Sequence, residues 1–169
     1  MRLAGECGKT GQVEAKPIRV LLVDDDPGFL EALEAVFAGD KRFEIVGKAT
    51  DGDEAVARTL SLRPDVVTMD IEMPRMDGVE ATRQIRAEAP NTRVVVVSSS
   101  AYASRAEMAR EAGASAYVSK SGIADELLPA VAAVAAGGSF ESELAPTLEA
   151  EARRRGAPED APRREVERA

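Results

Sequence analysis

The chain has 169 residues, 44% hydrophobic and 31% charged, a balance that suits one ordinary domain with modest extensions and excludes wholesale disorder. Acids outnumber bases 30 to 22, and the net charge of −8 argues against a general binder of nucleic acid or anionic membrane. Histidine is absent altogether, which removes imidazole-based triads, His-ligated metals and phosphohistidine chemistry within the chain.

Residues 1–17 lack periodicity and read as a flexible leader. Within it, Gly8-Lys9-Thr10 suggests a phosphate loop, but Leu3 stands where that motif needs glycine and no strand precedes it. The single cysteine, Cys7, permits neither an internal disulfide nor a thiolate metal cluster. No apolar run is long enough for a signal peptide or a membrane span, so a cytoplasmic setting is expected.

From Ile18 onward, short apolar runs alternate with stretches of helical period. The runs are 18–23 (IRVLLV), 43–49, 65–69 (DVVTM), 93–97 (RVVVV) and 115–119. Continuous rather than alternating Val/Leu/Ile predicts strands buried on both faces. Helices are predicted over 28–38, 53–62, 78–89, 103–112 and 123–136. In the first, Phe29, Leu30, Leu33, Val36 and Phe37 form one apolar stripe. Asp51-Gly52, Asp77-Gly78, Ala112-Gly113 and Gly137-Gly138 punctuate the boundaries. Five β-α repeats predict an α/β fold: a parallel sheet with helices on both faces.

The remainder, 139–169, differs in kind. Phe140, Leu144 and Leu148 fall on one side of a predicted linker helix, followed by Pro/Arg/Glu-rich text expected to be disordered. A helix lying on its own domain is favoured over a dimerisation helix.

The ends of the predicted strands carry the chemistry. The first runs into Asp24-Asp25-Asp26, the third into Asp70, the fourth into Ser98-Ser99-Ser100 and the fifth into Ser119-Lys120. In a parallel sheet these C-terminal ends share one edge, where open α/β folds bind ligands. Carboxylates about 4 Å apart repel by roughly 4 kcal/mol at an effective dielectric near 20. Asp24, Asp25 and Asp70 therefore need a cation, and Lys120 meets only part of that need. Hard oxygen ligands select Mg²⁺ over zinc or copper. A carboxylate is also a nucleophile towards phosphorus, with lysine, hydroxyl and metal stabilising the transferring oxygens. Asp24 and Asp25 have helix-capping as a competing role, and Asp26 beside Pro27 reads as such a cap.

The stretch 18–138 resembles a response-regulator receiver domain of two-component signalling, the CheY-like family. The resemblance rests on LLVDDD (21–26), VTMDIEMPRMDG (67–78), VVVVSSS (94–100) and GASAYVSK (113–120), in order and at these spacings. It implies a flavodoxin-like (βα)5 fold with a five-stranded parallel sheet in the order 2-1-3-4-5. It also implies that Asp70 accepts the phosphoryl group and that Asp25 binds Mg²⁺ directly, with Asp24 acting largely through metal-bound water. Asp70 and the backbone carbonyl of Glu72 would complete the protein's share of the coordination. Lys120 would pair with the phosphoryl group, and Ser98 would turn inward to it, with Tyr117 following. Those moves would reshape the face made by the fourth helix, fifth strand and fifth helix, the signalling face of such domains. Tyr117 as an ordinary strand aromatic is an equal alternative.

The resemblance departs from the common pattern where Ser121 replaces proline after the lysine, which leaves the conformation of that loop open. Ser98 replaces the commoner threonine. The expected partners are a sensor histidine kinase or phosphotransfer protein, with a homodimer through the signalling face or the C-terminal helix as a further expectation. The stretch 135–154 also resembles the linker of NarL/FixJ-type regulators, but too few residues follow for their helix-turn-helix domain. A receiver acting through protein contact, without enzymatic turnover of its own, is therefore expected. The alternatives are a truncated transcriptional regulator and, remotely, an aspartate-nucleophile phosphohydrolase.

Overall fold

A computed structural model describes residues 15–99 and 103–142. Cys7, Gly8-Lys9-Thr10, Ser100, Leu144, Leu148 and the rest of the tail lie outside the described residues.

Strands β1 (Ile18–Val23), β2 (Phe43–Ala49), β3 (Val66–Met69), β4 (Arg93–Ser98) and β5 (Ala116–Ser119) form a parallel sheet in the order β2-β1-β3-β4-β5. Helices α1 (Pro27–Ala38), α2 (Gly52–Leu62), α3 (Gly78–Glu88), α4 (Ala103–Glu111) and α5 (Ile123–Ala135) connect them. The expected α/β architecture and strand order are what the structure has.

The period of two along each strand divides the apolar runs between two cores. Leu21, Val23, Val67, Met69, Val94 and Val96 face α2, α3 and α4, where Val56, Ile85 and Ala109 meet them. Val20, Leu22, Val66, Val95 and Val97 face α1 and α5 and pack against Leu33, Phe37, Leu127 and Val131. Every strand residue in these two sets is essentially inaccessible to solvent. This is why the runs read as continuous: both faces of the sheet are buried, with Thr68 an inaccessible polar exception within β3.

Three aspartates start three helices. Asp26 accepts from the Gly28 N–H, Asp51 from Glu54 N–H and Asp77 from Glu80 N–H, each satisfying an amide that the first helical turn leaves unpaired. Pro27 occupies the first turn of α1, where no amide is needed. At the other end of α2, Arg63 takes the left-handed conformation (φ 48°) immediately before Pro64.

Two elements depart from the sequence-based expectation. Lys120–Gly122 forms a single 3-10 turn between β5 and α5. Phe140, expected on a linker helix, instead lies in a sixth strand, β6 (Phe140–Glu141), parallel to β5 with Ala116 opposite Phe140 and Tyr117 opposite Glu141. Two residues are too few to show a period, so their pairing is decided by what α5 delivers them to. Among the described residues, no helix is long and apolar enough to cross a membrane.

Candidate functional site

The sheet carries the site residues to its C-terminal edge while still holding their backbone. The Asp24 N–H donates to the Ala49 carbonyl at 3.1 Å and the Asp70 N–H to that of Val23 at 3.0 Å. Asp24 and Asp70 therefore sit one step past β1 and β3, inside the ladder's reach rather than on free loops. Both are buried, whereas Asp25 is exposed. Carboxylate oxygens of Asp24, Asp25 and Asp70 all lie within 4.8 Å of one another.

Lys120 enters from β5. Its Nζ is 2.6 Å from Asp24 Oδ2 and 3.5 Å from Asp70 Oδ2. The same ammonium stands 4.2 Å from the centre of the Phe29 ring, so an aromatic face on α1 also contacts the cation. Sequence reading places Phe29 in the apolar stripe of α1; its meeting with Lys120 is a tertiary contact with no local signal. Ser121 does not prevent this geometry. The Ser119 and Ser121 hydroxyl oxygens lie 2.8 Å apart across the 3-10 turn, and Lys120 at its start reaches both acids.

The electrostatics follow from burial. Asp70 is raised above its ordinary value to about 6, chiefly by burial; Lys120 opposes this, Asp24 adds to it, and the Ile71 N–H opposes it. Burial also works against charge on Lys120, but Asp24 and Asp70 outweigh it and its pKa is raised. The ammonium therefore stays protonated and ties the two acids together.

A folded-state carboxyl that holds its proton more tightly contributes stability at low pH and loses it as pH rises through its folded pKa. Without divalent cations, wild type should lose stability relative to Asp70→Asn as pH rises from about 4 to about 7, with little further change by about pH 8. Added Mg²⁺ should narrow that gap. Thermal melts of both proteins across this range check the sign.

The chemistry of the donor set fits a hard divalent cation. Three carboxylates against one ammonium leave excess negative charge, and every candidate ligand is oxygen. Asp24 Oδ2 is buried and, apart from its ion contact with Lys120, makes no hydrogen bond of good geometry. Asp25 brings a third carboxylate from the solvent side. Glu72 lies at the rim, with its carboxylate 3.6 Å from Arg105 Nε on α4; its carbonyl is the group that the resemblance to receiver domains implies for the metal.

Ser98 ends β4, buried, and stands in register with Ser119. Tyr117 is buried as well, and its hydroxyl shares a hydrogen bond with Ser98. Burial raises the phenol pKa, and the Ser98 contact offsets it in part. Both readings of Tyr117 fit this placement in β5, with the ring inside and the hydroxyl beside that of Ser98.

Gly78 is the site's least conspicuous requirement. A Cβ there would lie 1.8 Å from the Asp70 carbonyl oxygen and 2.8 Å from its carbonyl carbon. The Gly78 N–H donates to the Ile71 carbonyl at 2.9 Å. Only hydrogen fits between the start of α3 and the backbone of Asp70.

An open parallel sheet whose C-terminal edge gathers buried acids, a lysine and a hydroxyl defines a flavodoxin-like domain with an acidic crevice closed by an ammonium. The chain belongs to the response-regulator receiver domain family, whose model matches residues 20–132. It is 37% identical over 129 residues to the transcriptional regulatory protein DegU of Brevibacillus brevis, covering 76% of this chain and 55% of that protein. It is 46% identical over 87 residues to a protein-glutamate methylesterase/protein-glutamine glutaminase of Geobacter sulfurreducens, covering 52% of this chain and 24% of that one. The chain thus spans about half, or less, of the length of these relatives. Among solved structures, the response regulator domain of Thermotoga maritima CheB superposes with a TM-score of 0.67 at 35% identity, covering 72% of this chain and 98% of that one. A LuxR-family two-component response regulator from Aurantimonas gives 0.71 at 31% identity, covering 83% and 99%.

Proposed function

We propose that this receiver domain accepts a phosphoryl group on Asp70 from the phosphohistidine of a sensor kinase or phosphotransfer protein. The observation that carries the reading is the convergence of Asp24, Asp25 and Asp70 within 4.8 Å, with the Lys120 ammonium against two of them. A carboxylate oxygen of Asp70 attacks phosphorus, the donor's P–N bond breaks, and its electron pair leaves with the imidazole. Lys120 faces the developing charge on the phosphoryl oxygens, and Ser98 supplies a hydroxyl at the neighbouring strand end. Asp24 (largely through metal-bound water), Asp25, Asp70 and the Glu72 carbonyl would hold Mg²⁺, which would offset negative charge that otherwise repels the incoming phosphoryl group. Phe29 keeps Lys120 oriented. Signalling then runs through Ser98 and Tyr117 to the face made by α4, β5 and α5.

The likeness to DegU and to the LuxR-family regulator favours a more specific reading, a receiver governing a DNA-binding output. The likeness to protein-glutamate methylesterases supports a second reading, a receiver joined to a catalytic output. Phosphoacceptor chemistry is the reading that the site itself supports.

Incubation with acetyl phosphate and Mg²⁺ should yield a hydroxylamine-labile adduct, read by intact mass. Chelation with EDTA should bring that yield to background. Asp25→Asn should raise the Mg²⁺ concentration needed for half-maximal labelling by about tenfold or more. Labelling indifferent to EDTA and to Asp25→Asn would remove the metal from the reading.

A further inference from the structure

The chain does not leave the domain where α5 ends. Gly137 takes φ +86°, its N–H donates to the Val134 carbonyl at 3.0 Å, and the Gly138 N–H donates to that of Ala133 at 3.0 Å. This pair of bonds closes a helix and reverses the chain. The reversal lays β6 along the outer edge of β5, between that strand and the flank of α5.

Contacts among the described residues hold it there. The backbone pairs in parallel at Ala116–Phe140 and Tyr117–Glu141. Phe140 packs, partly buried, against the core shared by β5 and α5. The Ser142 hydroxyl donates to the Glu126 carboxylate on α5. A cavity of about 280 Å³ remains beside this attachment, lined by Arg110, Ala114, Tyr117 and Phe140 among others. A two-residue strand over incomplete packing is weakly held, and such elements open locally without unfolding the domain.

What β6 pairs with matters as much as how weakly. Tyr117 lies opposite Glu141 on one side and shares a hydrogen bond with Ser98 on the other. Ser98 is the buried hydroxyl at the edge that holds Asp70. The geometry points to β6 being a reversible latch on the β5 edge, closed more tightly when Asp70 is phosphorylated, through Ser98 and Tyr117. This coupling rests on Asp70 being the phosphoacceptor.

The sign comes from the hydroxyl's bonding capacity. Serine has one proton to donate and two lone pairs to accept. The Ser98 O–H donates to a phosphoryl oxygen on Asp70, which leaves the Ser98 oxygen to accept from the Tyr117 O–H. The three groups then stand in series, each bond polarising the next. Tyr117 is held inward, β5 keeps the position against which β6 pairs, and the latch gains stability. By linkage, opening the latch disfavours the phosphorylated state. Phosphorylation thereby controls how firmly residues 140–142 are held to the domain.

Amide hydrogen exchange on the full chain, with and without acetyl phosphate and Mg²⁺, tests this. On phosphorylation, exchange at 140–142 and at Tyr117–Val118 should slow by roughly three- to tenfold, the equilibrium weight of one hydrogen bond. Phe140→Ala, and the milder Ser142→Ala, should speed exchange at 140–142 and lower adduct occupancy at limiting donor while leaving Asp70 the labelled residue. Adduct formation on wild type with unchanged exchange at 140–142 overturns the coupling. If wild type forms no adduct, the phosphoacceptor reading fails, and Ser98→Ala decides the latch separately. Altered exchange at 140–142 in that variant supports the path from Ser98 through Tyr117 to β6, and unchanged exchange overturns it.

Discussion

Asp70→Asn is expected to reduce the hydroxylamine-labile adduct to background while the domain stays folded. The carboxylate is the proposed nucleophile, and an amide oxygen at the same place lacks the charge and the electron pair reactivity to replace it. Asp24 is close by, but its Oδ2 is engaged by Lys120 at 2.6 Å and its Oδ1 accepts from the Asp26 N–H at 2.9 Å. Asp25 is exposed and outside the buried pair that Lys120 closes. Neither is placed to take over. The same substitution removes a buried carboxyl that burial has pushed up to about 6, so the variant should melt higher than wild type near neutral pH without Mg²⁺. Loss of labelling together with a gain in stability separates a missing nucleophile from a damaged fold. A variant that labels as well as wild type would sink the assignment of Asp70.

Gly78→Ala is expected to be the most damaging single methyl in the described domain. Its Cβ would meet the Asp70 carbonyl oxygen at 1.8 Å and the Ile71 Cα at 3.0 Å. These are backbone atoms, so no rotamer change relieves the clash; either α3 or the acceptor loop has to move. A destabilisation of about 3 kcal/mol, or roughly 10 °C in Tm, follows for a domain of this size. Labelling of Asp70 should fall as well, because the loop that shifts is the one that aims its carboxylate. Gly39→Ala is the control, since nothing lies within 4 Å of a Cβ there. Calorimetric melts of the two variants decide the matter: equal Tm values would show that the close approach at Gly78 is not held in solution.

The β-α alternation was legible because burial on both faces leaves a compositional trace. Val94 to Val97 face alternate cores, yet all four are valine and all are fully buried. The helix starts were legible for a different reason. Asp26, Asp51 and Asp77 satisfy amides within three residues of themselves, and a local bond leaves a local signal. Nothing comparable announces β6. Its partner strand lies more than 20 residues back in the chain, and its two residues follow a Gly-Gly pair that reads equally well as the end of a domain. The expected linker helix came from the spacing of Phe140, Leu144 and Leu148, but Phe140 is committed to the β5 edge, where pairing and packing outweigh local propensity.

By itself, the sequence determined which residues end the strands and therefore which side chains meet at the edge: the carboxylates of Asp24, Asp25 and Asp70, the amine of Lys120, and a serine hydroxyl after the fourth strand that the receiver resemblance narrows to Ser98. That much is carried by strand periodicity and by the rule that parallel strands end together. The tertiary structure decided everything that depends on approach across the chain. It set Lys120 closer to Asp24 than to Asp70, placed Phe29 against the ammonium, turned Tyr117 inward to Ser98 and pressed Gly78 against the acceptor's own backbone. The physical reason is the range of the forces involved. Caps, turns and amphipathic periods act over a few residues and are written in order, whereas desolvation, ion pairing and steric contact depend on neighbours that only the folded sheet brings together.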